Sequence, residues 1–211
     1  MINNYKDLTL EKYLQLRDID ITELEPLDIQ AQMIAILSDM TEDEVLDLSL
    51  PEYQRLVGEM LFLNEEPVPI KTIPKELTIN GRKYSVLKNA REMTAGQFID
   101  YQSYIKDDVE KKLPLLLTCF IIPKGKKYGQ YDIAEVIDDM RMLPIETVLG
   151  LAAFFLRQSQ RLISNTLTYL DWSVRRMERK EKKTETREKM KEAREKIRLL
   201  QDLVNDGDGL A

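Results

Sequence analysis

The sequence predicts a mainly α fold: a multi-helix domain with one small β-hairpin and a long charged C-terminal helix. Glycine and proline number only eight each in 211 residues, too few for a sandwich of many short, turn-linked strands. Apolar residues recur at helical spacing along most of the chain. The only strong strand signal is the pair Asn80-Gly81 between two short runs with alternating apolar residues.

Residues 1–66 are predicted to be an acidic helical N-terminal lobe. They contain 4 Lys/Arg and 16 Asp/Glu, a net charge of −12. The expected helix starts are Asp7 or Thr9, Asp28, the capping box of Thr41 with Glu44, and the capping box of Ser49 with Glu52. We expect small antiparallel helices with carboxylates on the outside.

Residues 67–88 are predicted to be a proline-rich connector followed by the β-hairpin. With Asn80-Gly81 as a type I′ turn, four apolar side chains share one face of the hairpin: Leu77, Ile79, Tyr84 and Val86. An isolated two-stranded hairpin is marginally stable. We therefore expect its apolar face to dock on helices or its edge to extend a sheet.

Residues 89–172 are predicted to be the helical core. Four helices are expected in this range. The first begins at the capping box of Thr94 and Gln97, and the second is a buried helix over 113–122 that Pro123 ends. The third runs from Asp132 to Met142, and the fourth is a long helix beyond Pro144. Residues 148–156 are apolar on all sides, which indicates burial at the centre of the core. The same helix can form an oligomer interface if the single-chain core leaves one side open.

Residues 173–204 are predicted to be a charged projecting helix, and residues 205–211 a flexible tail. No glycine or proline lies between Gly150 and Gly207, so the long helix can run on into this segment. Residues 175–198 contain 12 Lys/Arg, interleaved with six glutamates that repel phosphates. This pattern, together with the acidic front, disfavours nucleic acid as the partner.

The composition argues against most catalytic and metal sites. The chain has no histidine and one cysteine, Cys119, which excludes histidine-based triads, a four-thiolate zinc site and an intrachain disulfide. Neighbouring carboxylates such as Asp138 and Asp139 face different ways on a helix and lack a third ligand. We therefore predict a protein that is not an enzyme and has no cofactor or metal site, with Cys119 as a small buried apolar residue.

The sequence predicts no membrane span. Its longest uncharged stretch, 113–123, has 11 residues, whereas a transmembrane helix needs about 18 or more. The N-terminus lacks the charged-then-apolar pattern of a signal peptide. A cytoplasmic location is expected.

Five segments of the chain together show a likeness to a known family. They are Leu8-Thr-Leu-Glu-Lys-Tyr-Leu-Gln-Leu, Ile34-Ala-Ile-Leu-Ser-Asp-Met-Thr-Glu-Asp-Glu-Val-Leu, Leu50-Pro-Glu-Tyr-Gln-Arg-Leu, Met93-Thr-Ala-Gly-Gln-Phe-Ile-Asp-Tyr-Gln and Ile122-Pro-Lys-Gly-Lys-Lys-Tyr-Gly. With these segments, the chain resembles the tail assembly chaperones of tailed bacteriophages. The resemblance covers residues 1–66 and 84–170, about three quarters of the chain, and leaves the charged helix 173–204 unplaced.

The resemblance implies a non-catalytic protein that binds the tape-measure protein, the tail-tube protein or both in the host cytoplasm. The alternative is a virion structural component, such as a ring, a connector or a packaged protein, whose long C-terminal helix makes multimer contacts. A protein partner is expected in either case, and a homo-oligomer is compatible with both. The predicted partner-binding residues are Leu151, Phe154, Phe155, Trp172, Arg175, Arg176, Arg179, Ile197 and Leu200.

Overall fold

A computed structural model describes residues 1–22, 24–106, 108–180 and 184–206 and confirms the mainly α fold class. The helices are α1 (Leu10–Arg17), α2 (Pro26–Ser38), α3 (Glu42–Leu46), α4 (Leu50–Glu59), α5 (Ala95–Tyr104), α6 (Leu113–Thr118), α7 (Ile133–Arg141), α8 (Ile145–Lys180) and α9 (Thr184–Asp206). The strands are β1 (Glu76–Ile79), β2 (Arg82–Val86) and β3 (Ile121–Pro123), and short 3-10 helices cover Met60–Asn64 and Ala90–Glu92. The described residues form two compact units. The first contains the described residues of 1–88 and 92–154, and the second contains 89–91 and the described residues of 155–206.

Most of the predicted helix starts are confirmed. Thr9 caps α1, and reciprocal capping boxes start α3 at Thr41 and α5 at Thr94. Two predictions were wrong. Asp28 lies inside the first turn of α2, because Pro26, whose fixed φ suits a first turn, starts that helix earlier. Ser49 is the N-cap residue of α4 as predicted, but its hydroxyl donates to the Glu52 carboxylate at 2.7 Å and caps no backbone N–H, so the predicted capping box does not form.

The β-hairpin has the predicted turn and register. Asn80 and Gly81 both have positive φ, 49° and 76°, as a type I′ turn requires. Leu77 pairs with Tyr84, and Ile79 with Arg82. Burial confirms the predicted apolar face, since Ile79, Tyr84 and Val86 are buried while the opposite face of the strands is exposed.

The helix predicted over 113–122 was wrong at its C-terminal end. The α-helix stops at Thr118, and Ile121–Pro123 pairs antiparallel with β2, making a sheet of order β1-β2-β3. A wholly apolar run has no periodicity that could distinguish a buried helix from a buried strand. The open edge of β2 offers backbone partners, and the β-branched Ile121 and Ile122 suit a strand.

A buried carboxylate joins the hairpin to α7. Asp139 accepts hydrogen bonds from the Asn80 amide at 2.8 Å, the Arg82 guanidinium at 3.1 Å and the Tyr84 hydroxyl. Only 4% of its side chain is exposed. Asp139 thus satisfies three donors that the hairpin presents to α7, a role that its sequence position beside Asp138 does not indicate.

The first turns of α8 are fixed by the backbone of two distant segments. Ile145 N–H donates to the Leu8 carbonyl and Leu10 N–H to the Leu143 carbonyl, each at 2.8 Å. The connector also runs against α8, where Ile70 N–H donates to the Glu146 carbonyl at 3.1 Å. Val148 is fully buried in the first unit, which agrees with the all-round apolar pattern predicted for this helix.

The two tyrosines of loop 124–131, Tyr128 and Tyr131, are only partly exposed. The Tyr128 hydroxyl donates to Asp100 at 2.6 Å, while the Tyr131 hydroxyl is buried with no hydrogen-bond partner among the described residues. Cys119 is buried as predicted, and burial raises the pKa of its thiol to about 12.

High pH is expected to destabilise the first unit. Burial, reinforced at Tyr84 by Asp139, raises the pKa of Tyr84 and Tyr131 to about 12. Tyrosine in an unfolded chain titrates near pH 10, so between about pH 10 and about pH 12 the unfolded chain loses protons that the folded chain keeps. The free energy of unfolding, measured by urea titration, should therefore fall over that range. Tyr131→Phe should make this decrease in the free energy of unfolding smaller without destabilising the protein at neutral pH. An unchanged decrease would show that the raised pKa of Tyr131 does not contribute to it.

Candidate partner-binding surface

The second unit contains a hairpin of two antiparallel helices, the part of α8 from Phe155 onward and α9. The Nε atom of Arg194 lies 3.3 Å from a carboxylate oxygen of Asp171. In a continuous helix these two residues, 23 positions apart, would be separated by about 34 Å at ~1.5 Å per residue. The chain therefore reverses between α8 and α9, and the charged segment does not run on from α8 as the projecting continuation that the sequence suggested.

Asp171 is the polar centre of this hairpin. It forms ion pairs with Arg175 at 2.6 Å, one turn along α8, and with Arg194 at 3.3 Å on α9. Partial burial acts to raise the pKa of Asp171, but the two guanidinium groups outweigh it and hold that pKa below its ordinary value. Asp171 is thus charged at neutral pH and bridges the two helices.

One side of the hairpin forms a groove rich in cations. Its volume is about 540 Å³, and it is lined by Asp171, Arg175, Lys191, Arg194, Glu195, Arg198 and Gln201. We call the four basic residues Arg175, Lys191, Arg194 and Arg198 the cationic groove. They outnumber the two carboxylates of the lining, so the groove favours an anionic partner.

The opposite side of the same hairpin is apolar. Asp171 and Arg194 mark where the two helices face each other, and the groove residues lie on one side of this contact. Residues rotated about 60–120° in the other direction around each helix axis therefore lie together on the opposite side of the hairpin. These residues, which we call the apolar side, are Leu170, Val174, Ala193, Ile197 and Leu200. Leu170 is 42% exposed and Leu200 50%, so this side has room for a further apolar element.

The predicted partner-binding residues separate into buried and accessible groups. Leu151 and Phe155 are buried, and Phe154 is half-buried. A partner therefore does not reach Leu151 or Phe155 in the folded chain. Leu156, which follows Phe155, is 39% exposed, although the sequence placed both in a stretch buried on every side. The apolar pattern predicts a buried helix but cannot say where along it the burial ends.

The remaining predicted residues lie in the second unit. Ile197 and Leu200 are on the apolar side, and Arg175 is in the cationic groove. Trp172 is 52% exposed and stacks loosely with Tyr169, with 6.0 Å between ring centroids. Arg176 and Arg179 lie outside the described side chains.

Three residues of the cationic groove are absent from the predicted partner-binding residues: Lys191, Arg194 and Arg198. Their spacing of three and four places them on one face of α9, which is the signal that could have found them. The sequence predicts that this segment continues the long helix as a charged projecting helix. Without the chain reversal, nothing indicated that this face meets Arg175.

Comparison with protein-family models, with curated proteins and with solved structures finds no match. Among the described residues, no group of three or more cysteine, aspartate or glutamate side chains is placed to hold a metal ion. Within the same residues, no helix has the length and apolar character needed to cross a bilayer.

Proposed function

We propose that this protein is a non-catalytic assembly chaperone of a tailed bacteriophage. It binds the tape-measure protein or the tail-tube protein in the host cytoplasm, before the tail polymerises. The observation that carries the proposal is the apolar side of the α8–α9 hairpin, where Leu170 and Leu200 are about half exposed. Two neighbouring helices with a shared apolar side form a groove in which a third amphipathic helix can bury its own apolar face.

The chemistry of the hairpin suits the temporary cover of an apolar helix. Burying a leucine side chain contributes about 1.5–3 kcal/mol, so a few such contacts hold a partner helix reversibly. A long helical protein with exposed apolar faces aggregates unless those faces are covered. The acidic N-terminal residues, with net charge −12 over 1–66, would keep such a complex soluble.

The first experiment is an affinity pull-down from cells that co-express the neighbouring genes, analysed by mass spectrometry. Recovery of a long helical tape-measure-like protein or a tail-tube protein, together with absence of the chain from purified particles, is the result we expect. If the chain instead stays in purified particles, bound to capsid or portal-type proteins, it is a structural component of the virion and the chaperone proposal is wrong.

The apolar side is tested by replacing its two most exposed leucines. The double variant Leu170→Ser/Leu200→Ser should weaken binding of the recovered partner at least tenfold, because it removes about 1.4 kcal/mol or more of apolar contact. Leu61→Ser changes a leucine that is 62% exposed in the first unit and serves as the control, with binding expected to be unchanged. Equal loss in both variants, or none in either, would place the binding surface elsewhere.

A further inference from the structure

A second surface, on the first unit, has the opposite charge to the cationic groove. Helix α3 and the start of α4 expose four carboxylates, Glu42, Asp43, Asp47 and Glu52, and no lysine or arginine occurs between Asp39 and Glu52. Beside them, Leu46 and Leu50 are 67% and 68% exposed. We call these six residues the acidic edge.

The four carboxylates of the acidic edge form no ion pair with the described residues. The Thr41–Glu44 capping box fixes the backbone of α3 and so holds these side chains on an ordered element. The edge therefore presents four exposed negative charges beside two exposed apolar side chains.

The cationic groove has the complementary arrangement. Its cations outnumber its carboxylates by four to two, and Arg175 and Arg194 both pair with the same carboxylate, Asp171. The described ion pairs include neither Lys191 nor Arg198. Half-exposed Trp172 lies on α8 one turn before Arg175 and can contact apolar side chains beside the charges.

We infer that the chain associates with itself head to tail, the acidic edge of one copy docking in the cationic groove of the next. The two surfaces carry charges of opposite sign, and each has exposed apolar surface beside its charges: Leu46 and Leu50 at the edge, and Trp172 next to the groove. They lie on different units of one chain, so each copy offers one surface of each kind. Such a heterologous contact leaves a free acidic edge at one end and a free groove at the other, and it extends into rings or filaments.

The second copy is favoured over a nucleic acid as the occupant of the groove. Glu195 belongs to the groove lining, and the glutamates of α9 alternate with its cations, so a continuous phosphate backbone would meet repulsion. Separate carboxylates on a short helix can instead approach the cations one by one. This contact is distinct from the apolar side that the proposed function uses.

The test is sedimentation velocity of the full chain over a range of concentrations at two ionic strengths. At about 0.01 M the screening length is ~30 Å, whereas at about 1 M it is ~3 Å. We expect concentration-dependent oligomers at the low ionic strength and monomers at the high one. A chain that is monomeric at every concentration and at both ionic strengths overturns the inference.

Charge-reversal variants identify the two surfaces. Lys191→Glu/Arg198→Glu in the groove and Glu42→Lys/Asp43→Lys on the edge should each weaken self-association at least tenfold. A mixture of the two variants should associate again, because each reversed surface then meets its complement on the other variant. The control is Lys189→Glu/Lys196→Glu, which makes the same charge change on another face of α9 and should leave association unchanged.

The other outcomes each contradict the inference. If the control variant weakens self-association as much as the groove variant does, self-association depends on the net charge of the chain and not on the groove. If the mixture does not associate, the two surfaces do not meet. If the chain does not self-associate but binds a duplex oligonucleotide, and the groove variant loses that binding, the groove binds nucleic acid.

The variant Leu170→Ser/Leu200→Ser separates the two proposals. It should retain self-association, so a failure of the chaperone proposal is distinguishable from a failure of the self-association proposal.

Discussion

Asp139→Ala is expected to lower the free energy of unfolding by about 2–4 kcal/mol, because the buried Tyr84 hydroxyl loses a charged acceptor. The same substitution removes the acceptor of the Asn80 amide and one ion pair of Arg82, and so disconnects the hairpin tip from α7. Urea unfolding followed by far-ultraviolet circular dichroism measures the change.

The neighbouring residue provides a matched control. Asp138 is exposed on the same helix, and Asp138→Ala should change the free energy of unfolding by no more than about 0.5 kcal/mol. Since both variants remove one carboxylate from α7, any effect of net charge cancels between them. Similar effects of the two substitutions would show that the Asp139 hydrogen bonds do not stabilise the first unit.

Gly150→Ala should also destabilise the protein, by about 1–3 kcal/mol, although alanine favours a helix more than glycine does. The backbone of the connector lies against α8 at this point. A Cβ on Gly150 would sit 2.7 Å from the Ile70 carbonyl oxygen and 3.0 Å from its nitrogen, too close for any side chain. The connector would have to move, and the Ile70–Glu146 hydrogen bond beside it would be strained or lost.

The control for this prediction is another glycine within a helix. A Cβ on Gly58 of α4 meets nothing within 4 Å, so Gly58→Ala should stabilise the protein by about 0.5–1 kcal/mol through helix propensity alone. The two alanine substitutions therefore have opposite expected signs in the same urea measurement. A stabilising effect of Gly150→Ala would mean that the connector does not pack against α8.

The two helical surfaces proposed for binding depend on the chain reversal between α8 and α9. One helix alone presents a narrow apolar stripe, whereas two neighbouring helices present a groove between them. The reversal also joins Arg175 to the cations of α9. Partner capture and self-association can thus use opposite sides of one hairpin, and one copy can engage both partners at the same time.

The sequence by itself determined the features set by local geometry. Asn80-Gly81 requires a type I′ turn, and that turn fixes the register of β1 and β2 and their apolar face. Thr41 and Thr94, each followed by Glu or Gln at the third helical position, determine where α3 and α5 begin. The apolar pattern after Pro144 predicted α8, because burial on all sides of a helix needs apolar residues on all sides.

Only the tertiary structure decided the features that depend on contacts distant in sequence. Residues 121–123 form a strand because the edge of β2 is available to them, which their own apolar pattern does not reveal. Asp139 is a structural acceptor because Asn80, Arg82 and Tyr84 come from a hairpin about 55–59 positions earlier in the chain. The cationic groove exists because Asp171 meets Arg194 across the reversal. Local propensity specifies each helix, but the pairing of side chains 20 or more residues apart is decided by how the chain packs.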